Sequence, residues 1–156
     1  MTSDITLEKD LIICHDDAKT KEEVIQRLSG IMLKKGYVKE SYVNAVLTRE
    51  ERFPTGLKTG KYNIAIPHTD PEHVNRQSVA IMTLKDEAVF HRMDDFDDEV
   101  GVKVVILLAL NDGHRHLEML AKLIRMCGKD EFVEQLIQAG NQEDVLAVMN
   151  RELKGE

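Results

Sequence analysis

At 156 residues, 42% hydrophobic and 31% charged, the chain has the make-up of one ordinary globular domain with enough apolar side chains for a substantial core. A net charge of −7 with no long block of Lys and Arg disfavours nucleic-acid binding, and the lack of Trp, with aromatics at 4%, argues against a stacking platform for bases or sugars. The longest apolar stretch, Val104 to Leu110, is too short to cross a bilayer, and Met1 to Asp10 carries acids where a secretory signal needs a basic and then an apolar run, so a cytoplasmic location is expected.

No internal repeat, low-complexity tract or Pro/Gly/Ser linker interrupts the chain, so residues 1–156 read as a single domain. Leu7 to Cys14 holds a short apolar run suited to a strand. Thr20 followed by Glu23 has the spacing of a capping box, and Val24, Leu28, Ile31 and Met32 recur behind it at helical intervals up to a left-handed stop at Gly36. A second helix is expected from Ser41, with Val43, Val46 and Leu47 inward, ending before Pro54. A loop from Pro54 to Lys61 leads to a short strand, Tyr62 to Pro67. Ser78 to Leu84 is another strand. After a polar stretch, Lys103 to Leu110 reads as a strand buried on both faces. His116 to Met126 is an amphipathic helix expected to turn Leu117, Leu120, Ala121 and Ile124 to the core. Asp130 and Asn141 look like caps for helices over 131–138 and 142–153. Helices bracketing short strands imply an α/β layered domain, a mixed sheet flanked by helices. Cys14 and Cys127 lie far apart without CxxC spacing and read as buried thiols.

Three segments carry candidate chemistry. In Asn63-Ile-Ala-Ile-Pro-His-Thr69 a strand delivers His68 to a sheet edge, with Pro67 stiffening the backbone just before it. Such an imidazole can act as a nucleophile if it is neutral and its other nitrogen is held by an acceptor. On spacing alone, a histidine that merely closes a strand is the stronger reading. In Asn111-Asp-Gly-His-Arg-His-Leu117 a buried strand runs through a polar turn into a helix, and His116 sits where a strand end and helix N–H groups would favour an anion. Taken alone it is as readily a plain polar residue of a first helical turn. His114 and His116 also form an HxH pair that could ligate zinc with His68 or Asp112. Arg49, at the end of the second helix, could bind a phosphate bidentately or simply complement the helix dipole; Arg52 competes with it for either role.

In this order the segments resemble the fructose/mannitol-type IIA family of the phosphoenolpyruvate-dependent sugar phosphotransferase system. The resemblance spans nearly the whole chain: Ala18-Lys-Thr-Lys-Glu-Glu-Val-Ile25, Lys35-Gly-Tyr-Val38 with Tyr42-Val43, Arg49-Glu50, Ala65-Ile-Pro-His68 and His116-Leu-Glu-Met-Leu120. The Ala65-Ile-Pro-His68 phrase is its most specific element. The loop Phe53-Pro-Thr-Gly-Leu57 and the phrase His68-Thr-Asp70 look most like galactitol-type IIA proteins.

The resemblance implies a mainly parallel mixed sheet with helices on both faces. It implies His68 as the phosphorylated residue, His116 as its stabilising partner and Arg49 as an assisting cation. It further implies the phosphohistidine carrier HPr as donor, a cysteine of a IIB component as acceptor, contact with the membrane only indirectly through IIC, and no metal or organic cofactor. Thr69 departs from the Gly or Ala that often follows the histidine, and the longer preceding loop leaves the register between Arg49 and Arg52 open. His73 is a candidate for the rim. Recognition is expected on a shallow apolar patch around an accessible His68 ring. Two alternatives stay open: a regulatory IIA-like module whose phosphorylation controls a protein partner, and a zinc hydrolase built on His68, His114 and His116.

Overall fold

A computed structural model describes residues 5–58 and 60–154. The first four residues of the acidic segment Met1 to Asp10, and Thr59 in the expected loop, lie outside the described residues. The chain enters through a 3-10 turn, Lys9–Leu11, into β1 (Ile12–Asp16), so the first strand begins later than the apolar run suggested. Thr20 and Glu23 form the expected capping box at the start of α1 (Lys21–Lys34), and the chain turns beyond it through Gly36 at φ 78°. α2 (Ser41–Arg52) follows, then two short strands, β2 (Gly56–Leu57) and β3 (Ile64–Ala65). β4 (Ser78–His91) and β5 (Glu99–Ala109) are long, and α3 (Gly113–Cys127), α4 (Asp130–Gln138) and α5 (Gln142–Lys154) close the chain.

The five strands form one mixed sheet in the order β1-β4-β5-β3-β2. β1 pairs parallel to β4 and β3 parallel to β5, while β4–β5 and β2–β3 are antiparallel. Helices cover both faces, as expected. On one face Val24, Ile25, Leu28 and Met32 of α1, with Tyr42 and Val46 of α2, pack on Ala80, Met82, Val105 and Leu107. On the other, Met119, Leu123 and Met126 of α3 join residues of α4 and α5 over Ile81, Val104, Ile106 and Leu108. This double coverage explains why β5 is apolar at successive positions from Val104 to Ala109.

The β3–β5 pairing builds the site. Because these strands run parallel, with Ile64 opposite Val104 and Ala65 opposite Val105, both leave the sheet at the same edge. One leads to His68 and the other into α3. Leu108 N–H bonds Pro67 O at 3.1 Å, tying the two exits together. Tyr42, fully buried, donates its hydroxyl proton to Leu108 O at 2.6 Å and so fastens α2 to the same place from the opposite face.

Several sequence expectations are corrected here. The polar stretch after Leu84 is a hairpin: β4 runs on through Ala88 to His91, paired with Val102 to Glu99. Lys85, Asp86 and Glu87 hide it, because they coincide with the irregularity between Thr83 and Ala88 where the alternation breaks. In α2 the buried stripe is Tyr42, Val46 and Glu50 rather than one led by Val43. In α3 it is Met119, Leu123, Met126 and Cys127; Leu120 and Ile124 only flank it, Ala121 is exposed, and Leu117 is 68% exposed. Asn141 caps α5 through Asp144 N–H, whereas Asp130 accepts from Lys61 N–H and caps nothing. Cys127 is a buried thiol, whereas Cys14 is half-buried rather than buried, and neither is in a disulfide.

Candidate active site at the end of β3

Three residues later than β3, the His68 ring is pinned by its own backbone. Its Nδ1 lies 2.8 Å from Ile66 O. A carbonyl oxygen can only accept, so Nδ1 carries the proton and Nε2 keeps its lone pair. Burial holds the His68 pKa down to about 4; the Ile66 bond works against that, while the His116 ring and the Arg49 charge add to it. The imidazole is therefore neutral across the physiological range, the protonation state that a nitrogen nucleophile requires.

His116 approaches from the first turns of α3. Its ring meets His68 edge-on, with centroids 4.7 Å apart and planes at 68°. Burial, and then the Arg49 charge, also lower its pKa. Arg49 reaches in from the last turn of α2, its guanidinium 5.4 Å from the centre of the Phe53 ring and one nitrogen 3.9 Å from the Asp70 carboxylate. Among the described residues, its Nε is buried without a hydrogen-bond partner. A buried donor left unused on a cation suits an incoming anion. Arg49, His68, Asp70, Gly113, His116 and Leu117 line a cleft of about 180 Å³.

All three residues singled out from the sequence thus border one cleft. Arg49 borders this cleft with His68 and His116, whereas Arg52 lines a neighbouring depression with Ser41, Asn44 and His73 that Arg49 also reaches. His73 is turned to Ser41, its Nδ1 2.8 Å from the hydroxyl oxygen. His114 does not join the group. Its side chain is 83% exposed and faces Glu118 at 3.6 Å, so the His68–His114–His116 zinc site is not assembled, and no group of three or more His, Cys, Asp or Glu among the described residues could hold a metal.

Two further corrections concern access and the helix start. His68 is only 7% exposed, rather than open on the surface. The ring is reached through the cleft it lines. At the start of α3, Asp112 Oδ1 accepts from the N–H groups of His114 and Arg115, so these two helix-start donors are already engaged.

Sequence reasoning missed four contributors. Asp70 faces Arg49, and Met93 and Phe96 come over from the unexpected hairpin to line a second cleft with Phe53 and His68. Phe53 and Phe96 are about half exposed and meet edge-on at 6.3 Å. The fourth is Glu50, buried beside Arg49. The hairpin had a legible signal in the alternation of Ala88 and Phe90 against Val100 and Val102, but Asp70 had none beyond its place in the loop.

This fold and site define an α/β domain whose mixed sheet brings two histidines and an arginine to one cleft. The sequence model of the family described as "Phosphoenolpyruvate-dependent sugar phosphotransferase system, EIIA 2" matches residues 5–152. A mannitol-specific phosphotransferase enzyme IIA component from Geobacillus stearothermophilus is 31% identical over 92% of this chain and 94% of its own length. A galactitol-specific EIIA component from Escherichia coli K12 is 31% identical over 75% of this chain and 77% of its own. Among solved structures, the complex of enzyme IIAMTL with phosphorylated enzyme IIBMTL from Escherichia coli aligns with a TM-score of 0.76 at 26% identity, over 94% of this chain and 98% of that one. The chain belongs to the EIIA type 2 family of the sugar phosphotransferase system, and as such is a phosphotransferase component. No helix among its described residues is long and apolar enough to cross a membrane.

Proposed function

We propose that the chain is the single-domain, cytoplasmic phosphocarrier of a polyol-type phosphotransferase system, taking a phosphoryl group from phospho-HPr on His68 and passing it to a IIB component. The observation that carries this reading is the pinned imidazole: Nδ1 donates to Ile66 O at 2.8 Å, leaving Nε2 as the nucleophilic nitrogen of a neutral ring that borders the cleft. In the forward step the Nε2 lone pair attacks phosphorus as the donor N–P bond breaks. The electron pair of that bond returns to the donor's imidazole, and no proton needs to leave His68. Transfer onward repeats the displacement, with an acceptor thiolate attacking phosphorus and the N–P electrons returning to Nε2.

Little covalent work falls to the protein, so catalysis rests on position and charge. Arg49, with a buried donor unused, is suited to the equatorial phosphoryl oxygens, and His116 to hydrogen-bonding them from the α3 side. Phe53, Phe96 and Leu117 give the mouth an apolar rim for protein partners. A polyol substrate for the system is favoured by the mannitol- and galactitol-specific relatives, with galactitol favoured by the Phe53–Leu57 loop. Intact-mass measurement after incubation with phosphoenolpyruvate, enzyme I and HPr tests the role. One acid-labile phosphoryl group per chain, discharged by a cognate IIB, is expected; a chain that takes up none contradicts the reading.

A further inference from the structure

Glu50, counted above among the site's contributors for its place beside Arg49, has been given no task there, and it is only 3% exposed. A carboxylate is seldom buried unless its oxygens are satisfied. Here one residue satisfies both: Thr55 N–H donates to Oε2 at 2.8 Å and the Thr55 hydroxyl donates to Oε1 at 2.9 Å. The Thr55 hydroxyl oxygen in turn accepts from Ile66 N–H at 3.2 Å, and Thr55 O lies 3.3 Å from the same nitrogen. Ile66 O is the acceptor of His68 Nδ1–H. From the nucleophile to the carboxylate, every donor points the same way. The two bonds at Ile66 use different peptide groups, so they are linked through the placement of the Ile66 backbone, and inside a protein each such bond is worth more than in water.

The directions at Ile66 are set by its own backbone groups, so what Glu50 can set is position: by accepting from the Thr55 hydroxyl it orients the Thr55 oxygen toward Ile66 N–H, and so places the residue whose carbonyl holds the imidazole. Burial raises the Glu50 pKa to about 7 against the opposing pull of the two Thr55 bonds, so the carboxylate shares the site with the neutral acid near pH 7 and prevails above it. We propose that Glu50 is a positioning residue for phosphoryl transfer: through Thr55 and the Ile66 backbone it holds His68 in the Nδ1–H tautomer, and from α2 it couples that histidine to Arg49. The inference rests on the His68 phosphocarrier reading, but its test does not depend on transfer taking place.

The His68 tautomer is read by long-range 1H–15N NMR on the unphosphorylated full chain, alongside the rate and KM of labelling by phospho-HPr. Wild type should show the Nδ1–H form alone. Glu50→Gln and the near-isosteric Thr55→Val should each give a mixture of tautomers and roughly tenfold slower labelling at unchanged KM. Thr55→Ser, which restores the hydroxyl, should recover the single tautomer. Thr55→Val leaves Glu50 and the backbone bonds in place, so it decides the matter even if Glu50→Gln fails to fold. An unchanged tautomer and rate in Thr55→Val would overturn the proposal, as would a Thr55→Ser chain that behaves like Thr55→Val. If the wild-type chain accepts no phosphoryl group, the phosphocarrier reading fails while the tautomer result still stands or falls alone.

Discussion

The two imidazoles of the site are held in opposite ways. His68 is clamped at a strand exit, Nδ1 engaged by the chain's own carbonyl and the residue nearly buried. His116 stands on the opening turns of α3, half-buried, next to a leucine that is 68% exposed and a His114 whose side chain is 83% exposed. The backbone-built half fixes which nitrogen of His68 keeps its lone pair. The helix-borne half, with Arg49 from the other face of the sheet, is proposed to supply charge and hydrogen bonds to an incoming phosphoryl group. The division suits a carrier whose nucleophile must stay constant while its donor and acceptor change.

The largest effect follows from removing the clamped member. His68→Ala should abolish labelling by phospho-HPr, measured by mass, and full labelling would move the site elsewhere. Next comes a pH effect on stability. Because the folded pKa of His68 is lowered from 6.5 to about 4, the unfolded chain binds more protons between those values. His68 therefore contributes stability that is fully present above pH 6.5 and is lost as pH falls toward 4. The loss amounts to about 3 kcal/mol, by the linkage of pKa shift to free energy. Urea titrations of wild type and His68→Gln should diverge over that window, wild type losing more; parallel curves would show that the ring is not desolvated. Arg49→Gln should slow labelling on the order of a hundredfold, as loss of a charge-stabilising donor does. His116→Ala should leave a reaction about tenfold slower, the cost of one charge-assisted hydrogen bond. His114→Ala, on the same turn but facing solvent, should label like wild type. A slow His114→Ala chain would mean that the two halves of the comparison are drawn in the wrong place.

Much of this was legible in the residues. The capping box of Thr20 and Glu23, the stop at Gly36, and the doubly buried β5 all follow from local rules that tertiary packing left intact. His68 was readable because a strand, a proline and a histidine are contiguous, and His116 because a buried strand leads straight into its helix. Arg49 needed the resemblance, since no local rule separates it from Arg52. What the sequence hid depends on distant partners. β3 is two residues long and exists through its pairing with β5 and β2. The hairpin that brings Met93 and Phe96 to the cleft is masked by three charges at a bulge. Glu50 lies on the inward stripe of α2 where an apolar residue is the usual occupant, and only its bonds to Thr55 account for its burial. The Leu117 reversal has a similar cause: α3 starts at Gly113 under the Asp112 cap, which sets its rotation so that Met119 and Leu123, not Leu117, meet the sheet.

The most direct test of the account is the position of the phosphoryl group on the phosphorylated chain, read from 15N and 31P NMR spectra. The account predicts a single phosphoramidate at Nε2 of His68, with Nδ1 still protonated. A phosphoryl group on Nδ1 of that ring, or on His73, His114 or His116 instead, would contradict it.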